Sequence, residues 1–357
     1  MKRIAIVTLF FYNNFGTVLQ AFALQRVLEK ITGEKAEVLP YIPPVRQYEY
    51  FKSAELNRKY EDKKALFAAF RREILKIREP YVYDAKLLPT DYDIYIAGSD
   101  IIWGKEFSGL DPVYFLDFVP DDKKRVSYAA SMIIKNGNMT ENDRIYEKLI
   151  PRLDRVSVRE KSSVNVLERF TDGQITDVLD PTLLLTAEDY EPVMIENDIM
   201  KESPYLLAYF LTHDPAVVDY TVLLAKKLGL RVIHYFADYP DRVFPEGSAC
   251  FAFAGPGEFL GYVKNAACIF TNSFHGTCFA TIFRKPFYTY TAKRELLSRV
   301  MDLVERLELK DRCFTDFRDL ARASVEIDYT GTEIKYKLEK EKSMKFLCEA
   351  VEGSEHV

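Results

Sequence analysis

The stretch CIFTNSFHGTCFATIFRKPF, residues 268–287, gathers the most reactive combination of side chains in the chain. An apolar strand runs out at Asn272, and Ser273 and Thr277 then supply hydroxyls where backbone N–H groups open a helix. Gly276 would let a ligand come close to the main chain. Helix N-termini carry partial positive charge, so the turn has the makings of an anion cradle. His275 could add a charge to it or move a proton. A lone histidine is more often structural, but a position between Ser273 and Gly276 at a strand-to-helix turn favours a functional one.

Three further segments carry candidates. In SVREKSS, 157–163, Arg159 would leave a strand just before a helix capped by Ser162 or Ser163. Arginine recognises carboxylate or phosphate in bidentate fashion. The plainer alternative is a surface pair with Glu160, which stabilises little. In AGSDIIW, 97–103, Gly98 and Ser99 lead to Asp100 at a strand end, three residues before the only tryptophan, Trp103. A carboxylate beside an aromatic platform suits a sugar, although a single tryptophan is more often core. In VLDPTLLL, 178–185, Asp180 reads as a turn residue before Pro181. Finally, IAIVTLF, 4–10, runs through Asn13, Asn14, Gly16 and Thr17 into an amphipathic helix. One glycine is too few for a dinucleotide fingerprint, which leaves side-chain amides, a hydroxyl and backbone N–H groups at that turn. GxGxxG, GxxxxGK[ST] and GxSxG are all missing from the chain.

These turns need a scaffold. Strands alternate with helices from residue 4, with a helix expected over 17–31 and a strand over 36–42, which predicts parallel sheets covered on both faces. Ligands in such sheets bind beyond the carboxyl ends of the strands, where all the candidate turns fall. At 357 residues the chain exceeds one comfortable core, so two α/β domains are expected: 1–190, and 203–330 after an acidic link at 186–204, with a tail helix over 331–357. A helical excursion over 48–80 sets Phe67, Phe70, Ile74 and Ile77 beside Arg71, Arg72, Lys76 and Arg78. It either packs on its own domain or offers a basic amphipathic surface to a membrane or partner. No fixed repeat is present.

Composition removes several classes. A net charge of −5 with 29% charged and 48% hydrophobic residues gives no basic footprint for nucleic acid. The apolar N-terminal run imitates a signal peptide but lacks a small-residue cleavage site, and it reads as the first strand. Five cysteines, Cys250, Cys268, Cys278, Cys313 and Cys348, without a CxxC pair predict a reduced, cytoplasmic protein with no structural zinc. Four histidines, His213, His234, His275 and His356, leave little for a metal cluster.

The ordered set NNFGTVLQAFALQ, IAGSDIIW, SYAASM, SVREKSS, VLDPTLLL, GPGEFL and TNSFHGTCFATIFRKPF, spanning about 4–290, resembles the polysaccharide pyruvyl transferase family. The resemblance implies two Rossmann-like domains in a GT-B-like arrangement with an interdomain cleft. It implies transfer of the enolpyruvyl unit of phosphoenolpyruvate to a sugar or lipid-linked oligosaccharide, ending as a ketal, with phosphoenolpyruvate as co-substrate and no cofactor or metal. His275 and Arg159 would meet the donor's phosphate and carboxylate, with Asn272, Ser273, Gly276 and Thr277 around them. Asn14, Gly16, Thr17, Gly98, Ser99 and Asp100 would form the acceptor wall, Asp100 as base or hydroxyl acceptor and Trp103 as the sugar platform. Such a protein would work on a cell-surface or exopolysaccharide precursor in the cytoplasm, in peripheral contact with the inner face of the membrane. The family commonly reads GSDQ-x-W-N where this chain has GSDIIWG, so Ile101 and Gly104 depart from it, as does Ile133 where glycine is common. The other readings are a GT-B glycosyltransferase using a nucleotide sugar and a non-catalytic member of the family.

Overall fold

The computed structural model describes residues 2–44, 54–132, 143–211, 216–236, 247–290 and 298–352. Ile133, His213, His356 and the first residues of the expected 48–80 excursion lie outside them. The chain forms two compact units, one of residues 1–53, 67–185 and 338–357, the other of 54–66 and 186–337.

In the first unit the strands are β1 (Ile4–Val7), β2 (Ala36–Val38), β3 (Ile94–Ala97), β4 (Lys124–Ala130), β5 (Arg155–Val158) and β6 (Ile175–Asp177). They pair in the order β2-β1-β3-β4-β5-β6, all parallel. Every residue of β1 and β3 is buried, as continuous apolar strands covered on both faces require. Helix α1 (Phe15–Thr32) starts two residues earlier than its apolar pattern suggests, because the Asn14 side chain caps it by accepting the Thr17 N–H at 3.3 Å. It stops at Gly33, whose φ of 70° belongs to the left-handed region. The expected strand over 36–42 is shorter, since Pro40 has no N–H for a ladder, and Tyr41 forms only an isolated bridge with Val82.

Helix α2 (Ala54–Glu73) replaces the longer excursion. Phe67 and Phe70 are buried against α1, at 5.6 Å from Phe15 and 6.2 Å from Phe22 between ring centroids, and Ile77 is buried as well. The stripe therefore packs on its own unit and is not the apolar face of a membrane-lying helix. Arg71 is buried with it, whereas Arg72, Lys76 and Arg78 are exposed. Between β3 and β6 run the short helices α3 (Lys105–Ser108), α4 (Asp143–Leu149) and α5 (Lys161–Leu167).

The second unit opens with α6 (Ala187–Tyr190) and two short 3-10 turns, so the acidic stretch expected as a link is folded into it. Then come β7 (Tyr205–Phe210), α7 (Ala216–Leu228), β8 (Arg231–Phe236), β9 (Ala249–Cys250), α8 (Pro256–Asn265), β10 (Cys268–Thr271), α9 (Phe274–Ile282), β11 (Phe287–Tyr290), α10 (Ser298–Arg306) and β12 (Cys313–Phe314). The sheet order is β12-β11-β10-β7-β8-β9, again all parallel. The expected tail helix over 331–357 is α11 (Thr330–Glu352), whose end belongs to the first unit. There Ser343 Oγ accepts the Leu179 N–H at 2.8 Å, Lys342 pairs with Asp177 at 2.7 Å, and Phe346, Leu347, Ala350 and Val351 are buried. Among the described residues no helix is long and apolar enough to cross a membrane.

His234 lies buried in β8, where loss of water pushes its pKa down to about 4. An unfolded chain takes up that proton near pH 6.5, the folded one only near 4. This group therefore leaves stability intact above about pH 6.5 and lowers it progressively as pH falls towards 4. Urea unfolding at pH 7.5 and pH 5 should differ by about 2 kcal/mol from this residue alone. His234→Gln should flatten the difference, and an unchanged pH dependence in that variant would place the origin elsewhere.

Candidate functional site

In the first unit the strand order reverses between β1 and β3, the position at which open α/β sheets form their binding crevice. The loops leaving these two strands carry the expected wall, and the structure joins them. Thr17 Oγ1 donates to Asp100 Oδ2 at 2.9 Å, and Asp100 Oδ1 accepts the Ile101 N–H at 2.9 Å. Ser99 is wholly buried: its N–H donates to Gln20 Oε1 at 3.1 Å, its carbonyl accepts from Thr8 Oγ1 at 2.9 Å, and its hydroxyl lies 2.9 Å from the Ala129 carbonyl and 3.0 Å from Asp180 Oδ2. Gly98 has a φ of 131°, and a Cβ there would lie 2.0 Å from the Tyr128 carbonyl oxygen, so only glycine fits. Asn14 and Gly16 stand at the start of α1, Asn14 as its cap.

The β1–α1 loop is fixed from α2. Arg71 Nε donates to the Phe10 carbonyl at 2.9 Å, and Nη2 reaches the carbonyls of Phe11 and Tyr12 at 2.8 and 3.1 Å and Asn13 Oδ1 at 2.7 Å. Burial lowers the Arg71 pKa from its ordinary value. Tyr12 is part-buried beside Asp100, and burial, then that carboxylate, raises its phenol pKa. Sequence reasoning left out Gln20 and placed Arg71 only on the basic face of the excursion, although each is a polar residue inside an otherwise apolar helical face.

Arg159 belongs to this wall, in the same unit as Asp100. It is 2% exposed, with Nε 2.9 Å from Glu160 Oε1 and Nη1 3.0 Å from Asp180 Oδ2. The pair with Glu160 is thus a buried one, not a surface contact. Burial works against the charged guanidinium, but Glu160, Asp180 and Asp100 outweigh it and raise the pKa above its ordinary value. The expected cap at Ser162 or Ser163 is also corrected: α5 starts at Lys161 with Glu160 in the cap position, and no side chain makes the capping bond. Asp180 does shape the turn before Leu184, accepting from the Thr182 N–H at 3.0 Å, but its second oxygen is the partner of Ser99 and Arg159.

Trp103 is not a platform. It is fully buried, stacked on Phe115 at 5.3 Å and 8°, and its Nε1 donates to the Tyr114 carbonyl at 3.0 Å. Beside it, Ile101 and Gly104 are linked: a Cβ at 104 would lie 2.4 Å from Ile101 Cγ2.

In the second unit the order reverses between β7 and β10, and NSFHG follows β10. Asn272 Oδ1 accepts the Leu211 N–H at 2.9 Å, tying the two strand ends together. Ser273 caps α9 by accepting the Gly276 N–H at 3.1 Å, and the Thr277 N–H and hydroxyl both donate to the Ser273 carbonyl, at 3.0 and 3.1 Å. A Cβ at Gly276 would meet Thr271 Oγ1 at 2.6 Å and Tyr209 Cδ1 at 3.0 Å. This glycine therefore lets the helix sit on the strand end, and close approach of a ligand does not explain it. Asn272, Ser273, Gly276 and Thr277 form the frame of the turn, and His275, 8% exposed, is the second residue of the helix they hold. Among the described residues no group of three or more His, Cys, Asp or Glu is placed to hold a metal ion.

Two doubly wound parallel-sheet units, each with its polar residues gathered at the sheet's switch point, define a protein of two Rossmann-like domains, the fold class of GT-B enzymes and sugar-nucleotide epimerases. The UDP-N-acetylglucosamine 2-epimerase from Rickettsia bellii is similar at a TM-score of 0.54 and 13% identity, over 99% of this chain and 96% of that one. The glycosyltransferase SnogD from Streptomyces nogalater gives 0.43 at 9% identity, over 96% and 95%. At such identities the likeness to the epimerase is one of fold. The chain belongs to the polysaccharide pyruvyl transferase family, whose model matches residues 14–293, and the resemblance read from the motifs is borne out. No protein of curated function matches it significantly.

Proposed function

We propose that the protein transfers a pyruvyl unit from phosphoenolpyruvate to a sugar of a cell-surface or exopolysaccharide precursor, forming a cyclic ketal at the cytoplasmic face of the membrane. The observation that supports this reading is the span of the family match, which takes in both switch-point turns, from Asn14 through NSFHG, in one stretch of chain. A sugar hydroxyl adds to C2 of the enol while C3 takes a proton. A second hydroxyl of the same sugar then displaces inorganic phosphate.

His275 fits the donor end of this scheme, as the acid for C3 or as a partner of the leaving phosphate, with the dipole of α9 adding positive potential. Asp100 fits the acceptor end. Its bonds to Thr17 Oγ1 and the Ile101 N–H leave lone pairs on a carboxylate that has about four, so it can still accept from a sugar hydroxyl. Thr17 holds it by that bond and Gly98 and Ser99 by the turn that leads to it, while Asn14 and Gly16 stand at the start of the helix that carries Thr17. The scheme uses phosphoenolpyruvate as co-substrate and needs no metal or further cofactor.

The test is inorganic phosphate release from phosphoenolpyruvate across lipid-linked and nucleotide-linked sugars, beside thermal unfolding with each ligand. Phosphoenolpyruvate at a hundred times its Kd should stabilise the fold by about 2.7 kcal/mol. If it gives neither protection nor phosphate with any sugar, the reading fails. Protection by a nucleotide sugar alone would point to a glycosyltransferase.

A further inference from the structure

We propose that Arg159 is a positioning residue: with Asp180 and Glu160 it fixes the Ser99–Asp100 turn, and it does not bind the donor's anions. This rests on the transferase reading above and gives the arginine a different place in it. The argument is the connectivity of the buried groups. Asp180 Oδ2 is 3.0 Å from both the Ser99 hydroxyl and Arg159 Nη1, while its Oδ1 accepts the Thr182 N–H and hydroxyl at 3.0 and 2.8 Å. Glu160 Oε1 accepts Arg159 Nε at 2.9 Å and the Ser131 hydroxyl at 2.8 Å. The Ser131 N–H in turn donates to the Asp100 carbonyl at 3.0 Å, and the Ser131 carbonyl accepts the Trp103 N–H at 3.2 Å.

Arg159 thus reaches Asp100 by two routes, through Asp180 and Ser99 on one side and through Glu160 and Ser131 on the other. The members stand beyond the ends of β3, β4, β5 and β6, which are neighbours in the sheet. Ser99 and Ser131 are 0% exposed, Asp180 1%, Arg159 and Glu160 2%. Buried ion pairs hold geometry well and tolerate loss of one partner badly. Nε and Nη1 of Arg159 already answer these two carboxylates, so an arginine that also held the donor would divide its guanidinium between them and that ligand.

Arg159→Lys keeps the charge without the planar fork, and Asp180→Asn keeps the shape without the charge. With the sugar that gives phosphate release in the panel above, both should lower kcat, on the order of 10²-fold for a displaced reacting group. The Kd for phosphoenolpyruvate by calorimetry, which needs no turnover, should stay within about twofold. A tenfold or greater weakening of that Kd in Arg159→Lys, with kcat at saturation unchanged, would make the arginine a donor ligand and overturn the proposal. Where either variant fails to fold, Ser131→Ala tests the second route with the same two readouts, and an unchanged kcat there also counts against it. A wild-type chain that neither binds phosphoenolpyruvate nor releases phosphate sinks the transferase reading instead. The network is then judged by a Ser99→Ala and Asp180→Asn double-mutant cycle in urea, where additive midpoint shifts would overturn it and non-additive ones support it.

Discussion

His275→Ala should lower phosphate release from phosphoenolpyruvate by on the order of 10²–10⁴-fold, the range for loss of a positioned acid or base. The fold should survive, because the bonds that frame the turn do not involve the imidazole: Ser273 holds Gly276 and Thr277, Thr271 Oγ1 accepts the Ser273 N–H at 2.9 Å, and Asn272 holds Leu211. Among the contacts the substitution removes is the edge-on packing of the ring against Phe274 at 5.2 Å. His275→Asn retains a hydrogen-bonding side chain but no ionisable group, so it separates proton transfer or charge from simple contact. An alanine variant that keeps its melting temperature and more than about a tenth of the activity would remove His275 from the chemistry.

Gly98→Ala should be among the most destabilising single substitutions in the first unit, by at least about 3 kcal/mol or with loss of folded protein altogether. The new methyl would lie 2.0 Å from the Tyr128 carbonyl oxygen and 3.0 Å from its carbon, which are backbone atoms of the neighbouring strand and cannot swing away. A φ of 131° adds strain for any residue with a Cβ. Gly33→Ala is the matched control, with a φ of 70° but no atom within 4 Å, and should cost only about 1 kcal/mol. Urea unfolding of the two variants separates strain from collision, and equal midpoints would mean that the Gly98 turn does not lie against β4 as described.

The alternation of apolar strands with helices was readable because it depends on local pattern. IAIV, YLLAYF and CIFT are buried on both faces, and the turns that follow them in sequence are the turns at the switch points. The caps are local too, Ser273 and Asn14 acting on N–H groups three residues away, yet neither is assigned from the sequence, and the cap expected at Ser162 or Ser163 is absent. What failed was partner choice over distance. Asp180 is a turn residue locally and an arginine's counterion only because β5 and β6 are neighbours, and Trp103 beside a carboxylate gives no sign that Phe115 will cover it. Gly276 was assigned to a ligand because nothing local announces Tyr209 and Thr271 on its other side. The two compact units also differ from the expected limits, since 54–66 groups with the second and 338–357 with the first.

The contact between positions 101 and 104 bears on descent. If the ancestral wall carried a pair of polar residues at these positions, the two replacements were not equally easy in both orders. Isoleucine at 101 before glycine at 104 would set its Cγ2 2.4 Å from an existing Cβ, whereas glycine first leaves room for it. With both in place, any side chain regained at 104 must first displace the Ile101 methyl, so reversal is easier at 101 before 104.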